Sequence, residues 1–287
     1  LPLSLPRRPL MAGEDGIRLS LAGAQDKIAL HVSNQKISMP LGGAPSTHIL
    51  KPAIERFEGI VFNEAFCMKL AHAVGLHTAK AEVGRVDNID YLLVEHYDRC
   101  LLKDASTGVE HLEREHQEDF CQALGISPDH KYQNEGGPSL KQCFALLREL
   151  SGAPAIDLQR LLDAVIFNFL IGNHDAHGKN FSLLYGDETR LAPLYDVLST
   201  AYYPELSPKL AMKIGGEYVF GKVLPKHSDQ LAEEAGLAKP MVKRRVRELA
   251  EVVLSKVSEL IPELPAAKPV AELIRTRSIR VSAKFKQ

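Results

Sequence analysis

Along the first third of the chain apolar and polar positions alternate with a period of two, the signature of half-buried strands. Ile17, Leu19 and Leu21 are interleaved with Arg18 and Ser20, residues 27–32 form an apolar strand-like run, and residues 35–38 make its hairpin mate across Ser33-Asn34. After the loop Gly42-Gly43-Ala44-Pro45 a short strand, 47–51, is stopped by Pro52. The period then changes. Phe62, Phe66, Leu70 and Ala73 recur at helical spacing, with Asn63 and Glu64 near the start and Gly75 as C-cap. Strands at 79–86 and 91–97 follow, turned at Asp87-Asn88. From about Glu115 the helical period takes over, predicting helices at 115–124, 140–150, 156–172, 228–235, 240–260 and 270–279. The pattern predicts an α+β protein, sheet-rich in front and helical behind.

Composition fits that picture. At 287 residues the chain is long enough for a two-lobed enzyme or two modest domains. With 45% hydrophobic and 25% charged residues, extensive disorder and a coiled-coil rod are excluded. The most apolar stretch, 161–172, falls short of the roughly 18 to 20 residues of a membrane span, so a soluble chain is expected. Cys67, Cys100, Cys121 and Cys143 contain no C-x-x-C pair and are too sparse for a disulfide scaffold, which suits a reducing, cytoplasmic setting. The opening Arg7-Arg8 has no apolar core behind it and is not a secretory signal. The chain starts on Leu1, so upstream residues are expected to be missing, with Met11 an alternative start. The formal charge of −1 hides a basic end: from Gly236 there are 12 Lys or Arg against 5 Asp or Glu. Lys243, Arg244, Arg245 and Arg247 there suit either a solvated helix face or an acidic or phosphate-bearing partner.

The densest polar run follows the most apolar helix: Asn173-His174-Asp175-Ala176-His177-Gly178-Lys179-Asn180. Asp175 and Asn180 are five apart, the offset between the general base and a metal-binding Asn in protein-kinase catalytic loops. Residues 191–197 read as a short apolar strand carrying Asp196, a second metal ligand. Phosphoryl transfer calls for these groups because charge builds on the moving phosphoryl group, and Mg²⁺ needs hard oxygen ligands. Upstream, strand residue Lys51 precedes helix residue Glu64 by 13 positions, like the kinase lysine–glutamate pair that positions ATP phosphates. The small residues of Ser20-Leu21-Ala22-Gly23-Ala24-Gln25-Asp26-Lys27 would let backbone N–H groups approach phosphate. Each piece has a plain alternative: a metal-binding His cluster, a surface lysine, an ordinary hairpin, a helix-start glutamate, a turn aspartate. Their order along the chain favours the kinase reading.

The same residues resemble a known family. The runs 19–27 and 47–51, Val94-Glu95-His96-Tyr97-Asp98-Arg99, Glu118-Asp119-Phe120-Cys121-Gln122, Lys131-Tyr132 with Gly136-Gly137-Pro138, and His174 to Asn180 together resemble HipA-like serine/threonine kinases, from about Arg18 to at least Ala211. The resemblance implies a two-lobed protein-kinase-like fold: residues 1–97 as a small antiparallel-sheet lobe with phosphate loop, ATP lysine and hinge, residues 98–287 as a helical lobe, and ATP in the cleft. It implies a growth-inhibiting toxin of a bacterial toxin–antitoxin system that phosphorylates a protein, in known cases an aminoacyl-tRNA synthetase.

Carried over position by position, Asp175 is the catalytic base, and Asn180 and Asp196 are the Mg²⁺ ligands. ATP is bound by Ala22, Gly23, Ala24, Gln25, Asp26 and Lys27 of the phosphate loop, by Lys51, by the hinge Glu95, His96 and Tyr97, and by His177, Gly178, Lys179, Asn180, Tyr195 and Asp196. Ser20 matches a serine whose autophosphorylation expels the phosphate loop, and added negative charge beside a phosphate site would repel ATP. Implied partners are a HipB-like antitoxin with DNA-binding helices and, mainly through it, operator DNA. No membrane is involved.

Two departures qualify the resemblance. Full-length members carry a further N-terminal subdomain of roughly one hundred residues, of which residues 1–15 are at most a remnant, so a truncation or a separately encoded piece is expected. After Pro225-Lys226-His227, where the prototype is basic, this chain has Asp229, Glu233 and Glu234, which disfavour direct DNA contact. The rival functions are a small-molecule phosphotransferase on the same fold and a non-enzymatic partner-binding protein with a vestigial nucleotide site.

Overall fold

The structure is a computed structural model that describes residues 26–34, 36–41, 44–103 and 110–285. Contacts divide these into two compact units, residues 26–65 with 79–115, and residues 66–78 with 116–285.

The first unit is built on strands β1 (Ile28–Ser33), β2 (Lys36–Ser38), β3 (His48–Pro52), β4 (Ala81–Val86) and β5 (Ile89–Glu95). They form one antiparallel sheet in the order β2-β1-β3-β5-β4. Asp87 and Asn88, both at positive φ, make the two-residue turn that joins β4 to β5, the geometry that matches strand twist. Pro52 pairs at the last position of β3, where the missing N–H is tolerated. Ala29, Leu30, Leu92 and Val94 are buried on the strands, with Ile60, Val61 and Ala65 buried at the start of α1 (Ile60–Ala73). Gly75, at φ +88°, ends that helix as the sequence predicts. A hairpin of β6 (Arg99–Lys103) and β7 (Glu110–Arg114), which the sequence reading does not foresee, completes the unit. The predicted strand at 17–21 lies outside the described residues.

The second unit departs from expectation at its start. A helix over 115–124 is predicted, but β8 (His116–Asp119) is a strand, and only Phe120–Ala123 (α2) is helical. The switch sits at Asp119, whose carboxylate accepts from the Gln122 N–H while the Gln122 side chain accepts from the Asp119 N–H. Pairing with β9 (Ser182–Tyr185) holds the preceding residues extended. Helices α3 (Leu140–Leu150) and α4 (Pro154–Ile171) fall where predicted. A Ser139–Gln142 capping box starts α3, and Pro154 starts α4. Strand β10 (Thr189–Leu191) adds to the sheet β10-β9-β8, and β11 (Lys209–Ile214) pairs with β12 (Glu217–Val219). Helices α5 (Pro225–Ala235), α6 (Lys239–Leu260) and α7 (Lys268–Lys284) close the chain.

Helix α4 is the centre of this unit, buried from Leu161 through Ile171 and packed against α3, α6 and α7. Its first turn is anchored by Asp157, a fully buried carboxylate that accepts from Ser151 Oγ, Arg160, Arg190 and the Leu191 N–H. The basic residues of α6 are largely matched: Arg245 grips Asp163 with two hydrogen bonds, Lys243 pairs with Asp229 and Arg244 with Glu248. Among the described residues no helix is long and apolar enough to cross a membrane.

Candidate functional site

The predicted site residues fall into two groups, one in each unit. In the first, Lys51 lies on β3 between β1 and β5, and its Nζ is 2.6 Å from Glu64 Oε1 of α1. Both side chains are almost fully buried, at 5% and 4% exposure. Asp26 and Lys27 lead into β1 and are half-buried. Ala22, Gly23, Ala24, Gln25 and Ser20 lie outside the described residues.

Glu95, His96 and Tyr97 lie at and just beyond the end of β5. The His96 N–H donates to the Thr47 carbonyl, its Nε2 is 3.3 Å from Ser46 Oγ, and its Nδ1 is 3.6 Å from Asp98 Oδ1. Asp98 is the hub of this segment, with Arg99 at 2.7 Å and Arg114 at 3.3 Å. Burial pushes its carboxyl up, but His96, Arg99 and Arg114 outweigh that and hold it below its ordinary value. In the sequence Asp98 is only one letter of a motif, because its role depends on Arg114 across a hairpin.

The second group begins where α4 ends. Gly172 takes the left-handed conformation (φ +78°) that turns the chain out of the helix, and a Cβ there would come within 2.7 Å of Ala201. Arg277, buried on α7, donates to the last carbonyls of α4, Phe169 and Leu170. Burial and then Arg280 lower its pKa to about 10. The loop is held by Asn173, which bonds Asn168 and accepts from the Asp175 N–H, and by His174, whose N–H donates to Thr200 Oγ1. Burial and then Arg277 lower His174 to about 4, so it is neutral at physiological pH.

Asp175 is nearly half exposed, at 46%, in contrast to its buried neighbours. Tyr132 donates its phenolic proton to Asp175 Oδ1 at 2.6 Å, and its ring meets His177 edge-on at 5.3 Å. His177 is buried, its Nδ1 without a hydrogen-bond partner and its Nε2 3.9 Å from Asp175 Oδ2. Burial drives its pKa down to about 4, and the charge of Asp175 opposes the shift. Gly178 begins the short turn that carries Lys179 and Asn180, and a Cβ on it would come within 2.6 Å of Pro138 and 3.0 Å of Cys121. The Asn180 N–H donates to the His177 carbonyl, and Lys179 Nζ is 3.5 Å from Asp119.

Tyr195 joins this turn to the segment of Asp196. Its hydroxyl donates to the Lys179 carbonyl at 2.7 Å and accepts from Ser182. The expected strand over 191–197 is not formed: β10 ends at Leu191, and beyond it only Leu194 bridges, to Thr78. Asp196 itself has φ +52°, a left-handed conformation incompatible with a strand. Strained non-glycine backbone of this kind concentrates at functional sites.

Among the described residues no group of three or more His, Cys, Asp or Glu side chains converges on a possible metal. Asn180 and Asp196 carry hard oxygen donors of the kind Mg²⁺ takes but do not form a cage of their own.

A family model described as the HipA-like C-terminal domain matches residues 19–257. The chain belongs to this family. A Sinorhizobium fredii relative named as a kinase, Y4mE, is 49% identical over 261 residues, covering 91% of this chain and 61% of its own length. The serine/threonine-protein kinase toxin HipA of Shewanella oneidensis is 29% identical over 260 residues, covering 86% and 58%. The chain thus spans about three fifths of the length of these curated relatives. A solved complex of Shewanella oneidensis HipA, HipB and operator DNA contains a chain that superposes with a TM-score of 0.80 at 26% identity, covering 98% of this chain and 67% of that one. The α+β kinase-like fold expected from the sequence is that of this HipA-like structure.

Proposed function

We propose that this HipA-like domain transfers the γ-phosphoryl group of ATP to a serine or threonine hydroxyl of a protein. The observation that carries the reading is the loop after α4, where the half-exposed carboxylate of Asp175 is gripped at Oδ1 by Tyr132 and is followed at once by the turn that carries Asn180. Asp175 orients the acceptor hydroxyl and takes its proton. Lys51, itself held by Glu64, neutralises charge on the ATP phosphates. Asn180 and Asp196 would hold Mg²⁺, which when bound neutralises phosphate charge. Glu95, His96 and Tyr97 contact adenine. Lys179 and Tyr195 keep the turn and the Asp196 segment in place, and Gly178 and His177 shape the floor of the loop.

The family further supports a bacterial, cytoplasmic toxin restrained by a HipB-like antitoxin, through which operator DNA is reached. An aminoacyl-tRNA synthetase is the protein substrate this reading favours, and phosphorylation of Ser20 in the phosphate loop Ala22 to Lys27 is the off-switch.

The test is intact mass before and after Mg²⁺-ATP, wild type beside Asp175→Ala, with peptide mapping around Ser20. A gain of about 80 Da, the mass of an added phosphoryl group, in the wild type alone supports the kinase. An unphosphorylated wild-type preparation that gains nothing and turns over no ATP refutes it.

A further inference from the structure

Tyr132 lies outside every motif assigned to nucleotide or metal, yet it makes the shortest contact to the loop's exposed carboxylate. Its phenol donates to Asp175 Oδ1 at 2.6 Å across 43 residues of sequence. Burial, and then Asp175, raise the phenol's pKa well above its ordinary value, so it remains a donor throughout the physiological range.

The tyrosine is rigidly seated. Its ring packs edge-on against His177 at 5.3 Å, and Lys131 Nζ stands 5.0 Å from the ring centre. Its carbonyl accepts from the N–H groups of Glu135 and Gly137. Gly137 is itself irreplaceable, since a Cβ there would come within 2.5 Å of the His130 carbonyl oxygen. The next side chain, Gln133, accepts from the Lys213 N–H of β11, which ties the segment to the body of the unit.

We infer that Tyr132 is a positioning residue for the base: it occupies Asp175 Oδ1 permanently and leaves Oδ2 as the oxygen that receives the acceptor's proton. The inference rests on the phosphotransfer reading above. A carboxylate on a half-exposed loop would otherwise rotate freely, and only one of its orientations presents an oxygen along the line of attack. A donor anchored by edge-on ring packing and two backbone hydrogen bonds removes that freedom without entering the reaction. The same anchoring argues against a mobile gate, which would have to leave when substrate arrives.

Tyr132→Phe in the full chain tests this, because the phenyl ring keeps the packing against His177 and Lys131 and removes only the hydroxyl. Turnover of Mg²⁺-ATP is expected to show kcat lowered about 10- to 100-fold, as for loss of one hydrogen bond to a charged group. KM for ATP and the melting temperature should stay at wild-type values. A crystal structure of the variant is expected to show Asp175 in more than one rotamer. Unchanged kcat in an active wild-type background, or increased kcat as for a competing occupant, overturns the inference. So does a single unchanged Asp175 rotamer, even if the wild type proves inactive and the kinase reading itself fails.

Discussion

The Lys51–Glu64 pair offers the sharpest test of how the sheet-rich unit is held together. Both charges have left water, with side chains 5% and 4% exposed and 2.6 Å between Nζ and Oε1. Desolvating each ion costs several kcal/mol, which close attraction offsets only while both partners are present. Glu64→Leu takes away the carboxylate that Lys51 meets at 2.6 Å in the interior and should destabilise by about 3–5 kcal/mol. Adding Lys51→Met removes the buried ammonium as well, and the double variant should recover most of that loss. In urea, with a slope near 2 kcal/mol/M, the single change lowers the midpoint by roughly 1.5–2.5 M, and the double variant returns to within about 0.5 M of wild type. Far-ultraviolet circular dichroism at pH 7.5 reads both. If Glu64→Leu moves the midpoint by under 0.5 M, or the two substitutions simply add, the pair is not the desolvated unit described here and the reasoning fails.

Three further outcomes are expected. His174 stays neutral when folded, with a pKa near 4 against its ordinary 6.5, so the unfolded chain binds the extra proton between those values. Stability is therefore full above pH 6.5 and falls as pH drops toward 4, by about 2 kcal/mol at pH 5; a His174→Asn variant that keeps the whole pH dependence would remove this residue from the account. Gly172→Ala combines a left-handed backbone with a Cβ 2.7 Å from Ala201, and should cost about 2–5 kcal/mol in chemical denaturation, whereas a loss under 1 kcal/mol would mean the turn relaxes freely. Asp157→Ala removes the buried acceptor shared by Ser151, Arg160, Arg190 and Leu191 and should cost about 3–5 kcal/mol; a wild-type melting curve would show that the network contributes nothing net.

What the sequence determined by itself is local. Helix α3 spans the residues that apolar spacing predicts, with the Ser139–Gln142 box at its start, and the β4–β5 turn follows from Asp87-Asn88, since these features act over a few residues. The run Asn173 to Asn180 and the Lys51-to-Glu64 spacing are legible for the same reason: side chains brought near by one helix end or one strand-to-helix step leave a trace in residue order. Tertiary structure decided the rest. Residues 116–119 carry a helix-like pattern but are extended, because β9, more than sixty positions away, supplies their hydrogen bonds. The stretch after Leu191 looks like a strand and is not one; Asp196 there takes a left-handed backbone, and Tyr195 is tied to Lys179. Asp98 and Tyr132 stand in the sequence only as letters of family motifs, and Arg277 in none, since each acts through partners on other elements: Arg114, Asp175 and the end of α4. Short-range periodicity specifies most of the helices and strands. Only the packed chain specifies which buried charge meets which, because those pairings form across distances along the chain that residue order does not encode.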